Sequence, residues 1–183
     1  MARTSQRTSK KRAVFYWRSC VSQRHLEEAC EYLVDALGVD WPSVEARADV
    51  VAVLKGRLRQ AERGRLRPRE ECKPIRKDPE LYEIRWTEDV RVVDRDPVSG
   101  LFLPERNVHV RLYYAERDGE SWFLGLHGHE KRFGWSDVET EAMQDAEIAR
   151  AASIYRQEAH CCWGVPELQE AHPRGLENTP TRA

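Results

Sequence analysis

Three apolar runs with polar residues interleaved at period two occupy the middle of the chain: LYEIRW at 81–86, VHVRLYYA at 108–115 and SWFLGLHGHEKR at 121–132. Alternation of this kind predicts half-buried antiparallel strands, because successive side chains of a strand point to opposite faces. One predicted face collects Tyr82, Ile84 and Trp86, then Val108, Val110, Leu112 and Tyr114, then Trp122, Leu124, Leu126 and Gly128. The other collects Glu83 and Arg85, then His109, Arg111 and Tyr113, then His127, His129 and Lys131. The first reads as core. The second gathers cations, imidazoles and one carboxylate into a patch suited to a phosphodiester.

The flanking pattern completes an α+β plan. Residues 14–17 are aromatic and β-prone, a short first strand. In 22–37, Leu26, Ala29, Cys30, Leu33 and Leu37 recur at spacings of three and four and Gly38 marks a stop, so this stretch is helical. A second helix starts at the Ser43 cap and runs to about Gly64, with Val50, Val53, Leu54 and Leu58 on its buried side. Residues 65–79 hold three prolines and no apolar period, which predicts a loop. Residues 87–107 contain the turn signal Asp96-Pro97-Val98-Ser99-Gly100 between short apolar runs and predict an inserted hairpin. Ser136 and Glu139 have capping-box spacing at the head of an alanine-rich helix through Tyr155, expected to present Val138, Ala142, Ala149 and Ala152 to the sheet. The expected domain spans 13–158, between a basic disordered arm at 1–12 and a C-terminal tail at 159–183 that Trp163 docks.

Charge sharpens the picture. The formal net charge is only -1, yet it is segregated. Residues 1–12 carry five cations and no acid, 55–77 carry ten basic residues against three acidic, and 137–183 carry nine acidic against four basic. Net charge therefore understates the attraction to polyanions. An antiparallel sheet commonly keeps one face wet, and charged residues there also serve solvation alone. Three histidines, two arginines and a tyrosine are an unusual choice for that purpose, since they hold negative charge and move protons.

Five cysteines without a regular framework predict free thiols and a cytoplasmic location. Cys161 and Cys162 beside His160 lack the further ligands of a zinc site, so no metal and no cofactor are expected. The basic N-terminus precedes an apolar run of only five residues, 13–17, too short for a signal peptide, and no stretch approaches the ~20 apolar residues of a membrane span.

Lys73-Pro74, Leu81-Tyr82-Glu83-Ile84-Arg85, Val110-Arg111-Leu112-Tyr113-Tyr114 and Leu126-His127-Gly128 with Lys131-Arg132 follow one another in an order that resembles the RelE/HigB toxin superfamily, nearest to its phage-derived HigB-like branch. The resemblance covers about 14–155. It implies a RelE/ParE-like fold, a small antiparallel sheet packed against two N-terminal helices and one C-terminal helix. It further implies a type II toxin that cleaves mRNA on the ribosome without a metal, by attack of a ribose 2′-hydroxyl on the adjacent phosphate, and that is held by a cognate antitoxin protein. By motif position Arg85, Arg111, Lys131 and Arg132 would clamp phosphate, Lys73 would assist at the pocket edge, and His127, His129 and Glu83 would move protons, with Tyr113 and Trp135 completing the RNA contacts. Two departures stand out: Val138 replaces a tyrosine common early in the final helix, and His129 follows the His-Gly pair where an aromatic is usual. A catalytically inactive binding module of the same fold and a ParE-like gyrase inhibitor are the alternatives.

Overall fold

In the computed structural model, which describes residues 4–131 and 136–172, the chain forms β1 (Val14–Trp17), α1 (His25–Ala36), α2 (Val44–Glu62), β2 (Cys72–Pro74), β3 (Leu81–Val92), β4 (Arg106–Glu116), β5 (Trp122–Lys131), α3 (Asp137–Gln157) and α4 (Pro166–Ala171), with 3-10 turns at Gln6–Thr8 and Ala159–Gly164. The strands make one sheet in the order β1-β5-β4-β3-β2. β2 through β5 pair antiparallel, whereas β1 runs parallel to β5. The fold is thus α+β with a mixed sheet, a correction to the purely antiparallel expectation. The parallel pair follows from two consecutive helices between β1 and β2, which return the chain to the far edge of the sheet.

Local sequence sets the helix ends. Ser43 Oγ accepts from the Ala46 amide at 3.1 Å at the head of α2, and Ser136 with Glu139 forms the reciprocal capping box of α3. Gly38 and Gly64, just past α1 and α2, adopt the left-handed conformation that ends a helix.

The face alternation holds through Trp86 of β3 and along β4, β3 has a register shift between Trp86 and Val90, and the alternation breaks in β5. Tyr113 pairs with His127 and Tyr114 with Gly125, so Leu126 is an extra residue, a β-bulge. Before it, Trp122 and Leu124 lie on the opposite face from the one expected, and Phe123 takes their place beside Tyr114. Leu126 itself joins Trp122 and Leu124. Both faces of the sheet are consequently covered. On one, Trp86, Val110, Leu112, Tyr114 and Phe123 pack against Leu33, Val34, Leu54 and Leu58 of α1 and α2. On the other, Leu81, Tyr113, Ala115, Trp122, Leu124 and Leu126 pack against Ala151, Ala152 and Tyr155 of α3 and against Trp163, Val165 and Leu168. Of the residues expected to face the sheet from α3, only Ala152 is buried.

The expected hairpin at 87–107 is present as the distal part of one long β3–β4 pair, tied by the Arg95–Phe102 bridge. Two further segments differ from expectation. Within the stretch read as a disordered arm, Ser5 Oγ meets the Tyr114 hydroxyl at 2.6 Å and Arg7 is 1% exposed, its Nε donating to Glu116 Oε2 at 3.1 Å and its guanidinium lying over Phe123. Basic composition suggested solvation, but a carboxylate inside the sheet's end offered Arg7 a partner. The first part of the expected tail is likewise docked: Trp163 stacks on Tyr155 at 5.2 Å and donates Nε1 to the Tyr155 carbonyl.

β1 is an edge strand whose outward amides are occupied. Phe15 N donates to Glu62 Oε1 at 3.3 Å and Trp17 N to His25 Nδ1 at 3.1 Å. His25 must therefore carry its proton on Nε2, which faces Glu167 of α4 at 3.3 Å.

Removing one partner of a buried ion pair strands the other charge, at a cost of about 3–5 kcal/mol. Arg7→Ala should destabilise the protein by that order in urea unfolding. A loss under about 1 kcal/mol, the range of exposed pairs, would mean that the N-terminal segment contributes no fixed contact.

Candidate nucleic-acid interface

The register stacks the polar residues of the second face into rungs across the sheet. Lys73, Glu83, Tyr113 and His127 form one, from β2 to β5. Arg85, Arg111 and His129 form the next, and His109 with Lys131 the third. Rungs of three strands span about 10 Å. Because the Leu126 bulge precedes His127, these residues share a face with the apolar half of β5, and the helical layer that covers that half reaches His127 through Glu147 of α3. The first half of α3 projects over the boundary. Lys73, Ile75, Arg76, Lys77 and Glu83 on one side and Glu141, Gln144, Asp145 and Ile148 of α3 on the other enclose a cleft of about 270 Å³. An ion pair between Lys77 and Asp145 bridges its mouth.

Glu83, 1% exposed, is the centre of the cluster. Its Oε2 accepts from Arg111 Nη1 at 2.5 Å, and its Oε1 lies 3.2 Å from Arg85 Nε without hydrogen-bond geometry. Among the described residues, Arg85 Nε and Arg111 Nε, both buried, have no hydrogen-bond acceptor. Lys73, Arg85, Arg111 and Lys131 thus gather on one face around the Glu83 carboxylate, with Glu141 and Asp145 of α3 facing them across the cleft. Burial, then the nearby Arg111 and Arg85, hold the Lys131 ammonium below its ordinary value, and burial likewise lowers Arg85. A bound anion would relieve both effects.

Both histidines of β5 have their ring nitrogens engaged. His127, 3% exposed, meets the Tyr32 hydroxyl with Nδ1 at 2.7 Å and the Glu147 carboxylate with Nε2. The carboxylate accepts, so a neutral His127 carries its proton on Nε2 and receives the tyrosine proton at Nδ1. His129 Nδ1 donates to the Glu130 carbonyl at 3.0 Å, leaving Nε2 to accept from the Tyr113 hydroxyl at 3.1 Å. The Tyr113, His127 and His129 rings lie nearly parallel, 5.7–6.5 Å apart. Burial pushes the Tyr113 phenol up and both imidazoles down, the latter against the pull of Glu147.

Comparison with protein-family models, curated proteins and solved structures found no match. The site therefore rests on its own geometry.

The fold brings Lys73, Glu83, Arg85, Arg111, Tyr113, His127, His129 and Lys131 together. Arg132 and Trp135 lie outside the described residues. Tyr113 is fully buried and acts through its hydroxyl on His129, so it offers no surface to RNA. Two partners escaped the sequence reading, Tyr32 and Glu147. They reach His127 from α1 and α3, and nothing local in those helices marks either as a partner of a strand. Among the described residues no group of three His, Cys, Asp or Glu could hold a metal ion, and no helix is long and apolar enough to cross a membrane.

The imidazoles couple stability to pH. Unfolding frees them to titrate near ~6.5, above their folded values. Between the two, the unfolded chain binds more protons, so stability is complete above about pH 6.5 and falls as pH drops through 6.5 toward the folded pKa. Urea midpoints at about pH 7.5 and about pH 5.5 should differ less in His129→Gln than in the wild type. Equal differences would show that His129 titrates alike in both states.

Proposed function

We propose that the rung face binds an RNA phosphodiester and that the chain is a toxin-like endoribonuclease of the RelE/HigB kind, acting on mRNA on the ribosome and held by an antitoxin protein. The observation that carries this reading is the pair of buried guanidinium N–H groups, on Arg85 and Arg111 beside Glu83, that lack acceptors among the described residues. Attack of a 2′-hydroxyl on its own phosphate concentrates negative charge on the non-bridging oxygens. Arg85 and Lys131, both half-buried, are placed to meet those oxygens, and fixed cations in a partly dry site stabilise such charge without reorganising. Arg111 is a positioning residue in this reading: it is spent on Glu83 and sets the orientation of its neighbours. His129 is the proton acceptor in this reading, because it is the more accessible of the two imidazoles and has no carboxylate on its other nitrogen. His127 is also a positioning residue, clamped between Tyr32 and Glu147.

A second reading, binding without cleavage, is favoured by one observation: every ring nitrogen of His127 and His129 already has a protein partner. The two readings separate on substrate and product. Inducible expression in a bacterium, with mRNA ends mapped, should give growth arrest and new ends in the wild type. Lys131→Met, which leaves the buried Arg111–Glu83 pair intact, should reduce cleavage by roughly 10²–10³-fold, the usual effect of deleting one transition-state contact. Retained RNA binding with no new ends in the wild type would select the binding module. Arrest with intact mRNA and lost supercoiling would select a gyrase-type target.

A further inference from the structure

A second cationic concavity lies away from the rung face, where the N-terminal segment crosses the end of α2. Lys10, Arg12, Arg63 and Arg65, with Thr8, Gly64 and Leu66, line a hollow of about 540 Å³. Backbone bonds fix its shape: Lys10 N donates to the Gly64 carbonyl at 2.8 Å, Ala13 N to Glu62 O at 2.8 Å and Leu66 N to Arg7 O at 3.1 Å. The buried Arg7 pair anchors the same segment. Gly64 permits the crossing, since a Cβ there would stand 2.5 Å from the Lys11 carbonyl oxygen.

Elsewhere along and just after α2, four cations are in ion pairs, while Arg59 and Arg69 have none among the described residues. Arg47 pairs with Glu31 and Asp35, Lys55 with Glu27, Arg57 with Asp89 and Glu71, and Arg67 with Glu70 and Glu71. Lys10, Arg12, Arg63 and Arg65 make no ion pair among the described residues, although the neighbouring Glu62 carboxylate feels the charge of Arg63. The helix dipole accounts for one cation at the end of α2. It does not account for four around one hollow, two of them brought by a different segment.

We infer that this hollow is a second polyanion site, for the phosphate backbone of single-stranded nucleic acid, separate from the rung face. Three of its four cations are guanidiniums, whose forked donors match phosphate oxygens. Leu66 is its one apolar lining residue, and it is buried, so the hollow lacks the apolar anchors on which a protein partner depends. The site goes beyond the cleavage reading and does not require it.

The test uses the full chain and a short labelled 2′-O-methyl RNA, which has no 2′-hydroxyl to attack, so binding is read apart from cleavage. Fluorescence anisotropy is followed against salt for the wild type, for Lys10→Ala/Arg12→Ala/Arg63→Gln/Arg65→Gln, for Gly64→Ala and for Lys131→Met, with circular dichroism confirming each fold. Four lost phosphate contacts should flatten the slope of log K against log salt by about 3, and Gly64→Ala, which keeps every charge but displaces the Lys10–Lys11 backbone, should weaken binding as well. Lys131→Met should retain this component. An unchanged slope and affinity in the fourfold variant would overturn the proposal, as would absence of RNA binding by the wild type. Competition by polyglutamate as effective as by RNA of equal charge would overturn it in favour of an acidic protein segment.

Discussion

A single additional residue in β5 governs how this sheet is used. Leu126 has no partner on β4, and the register shift it introduces lets Trp122 and Leu124 face α3 while His127, His129 and Lys131, three to seven residues on, face the same way. Without it, the apolar and polar halves of β5 would point to opposite sides, and the polar residues would lie away from the layer formed by α3. The bulge therefore places a cation-rich surface directly beside a helix that reaches it from above. Glu147 of α3 can contact His127 because of that juxtaposition.

Glu83 solves the electrostatic problem that the rungs create. Like charges on adjacent strands destabilise a sheet, and Arg85 sits directly opposite Arg111. One buried carboxylate between the two guanidiniums makes their proximity tolerable without neutralising the cluster. The phenol–imidazole pairs perform a similar service for the rings: each neutral histidine receives a tyrosine proton on one nitrogen and gives its own on the other. Rigidity results, with each ring's tautomer determined by its neighbours.

Much of this plan was legible in the pattern of residues. The strand pairs around Glu83, Arg85, Arg111 and Tyr113 follow from strict alternation in β3 and β4, and the Ser43 and Ser136 caps follow from local side-chain chemistry. The β5 bulge left no mark, because WFLGL is apolar at every side-chain position and a run apolar on both faces fits either parity. α3 misled for a related reason: small alanines recur all around it, and Ala151 and Ala152, not Ala142 and Ala149, are buried, in the cluster that holds Tyr155 and Trp163. Arg7 was hidden by its surroundings. A cation among cations reads as solvated until the fold supplies Glu116, more than a hundred residues away.

The side-chain acceptors along β1 have a consequence for assembly. A sheet edge with free amides invites a strand from another molecule. Here the Glu62 carboxylate and the His25 imidazole already take the outward amides of Phe15 and Trp17, and His25 is held in the accepting tautomer by Glu167 of α4. That edge is closed to strand addition. Copies of this chain cannot grow a continuous sheet through β1, so the C-terminal helix, by way of one imidazole, also guards the protein against edge-to-edge aggregation.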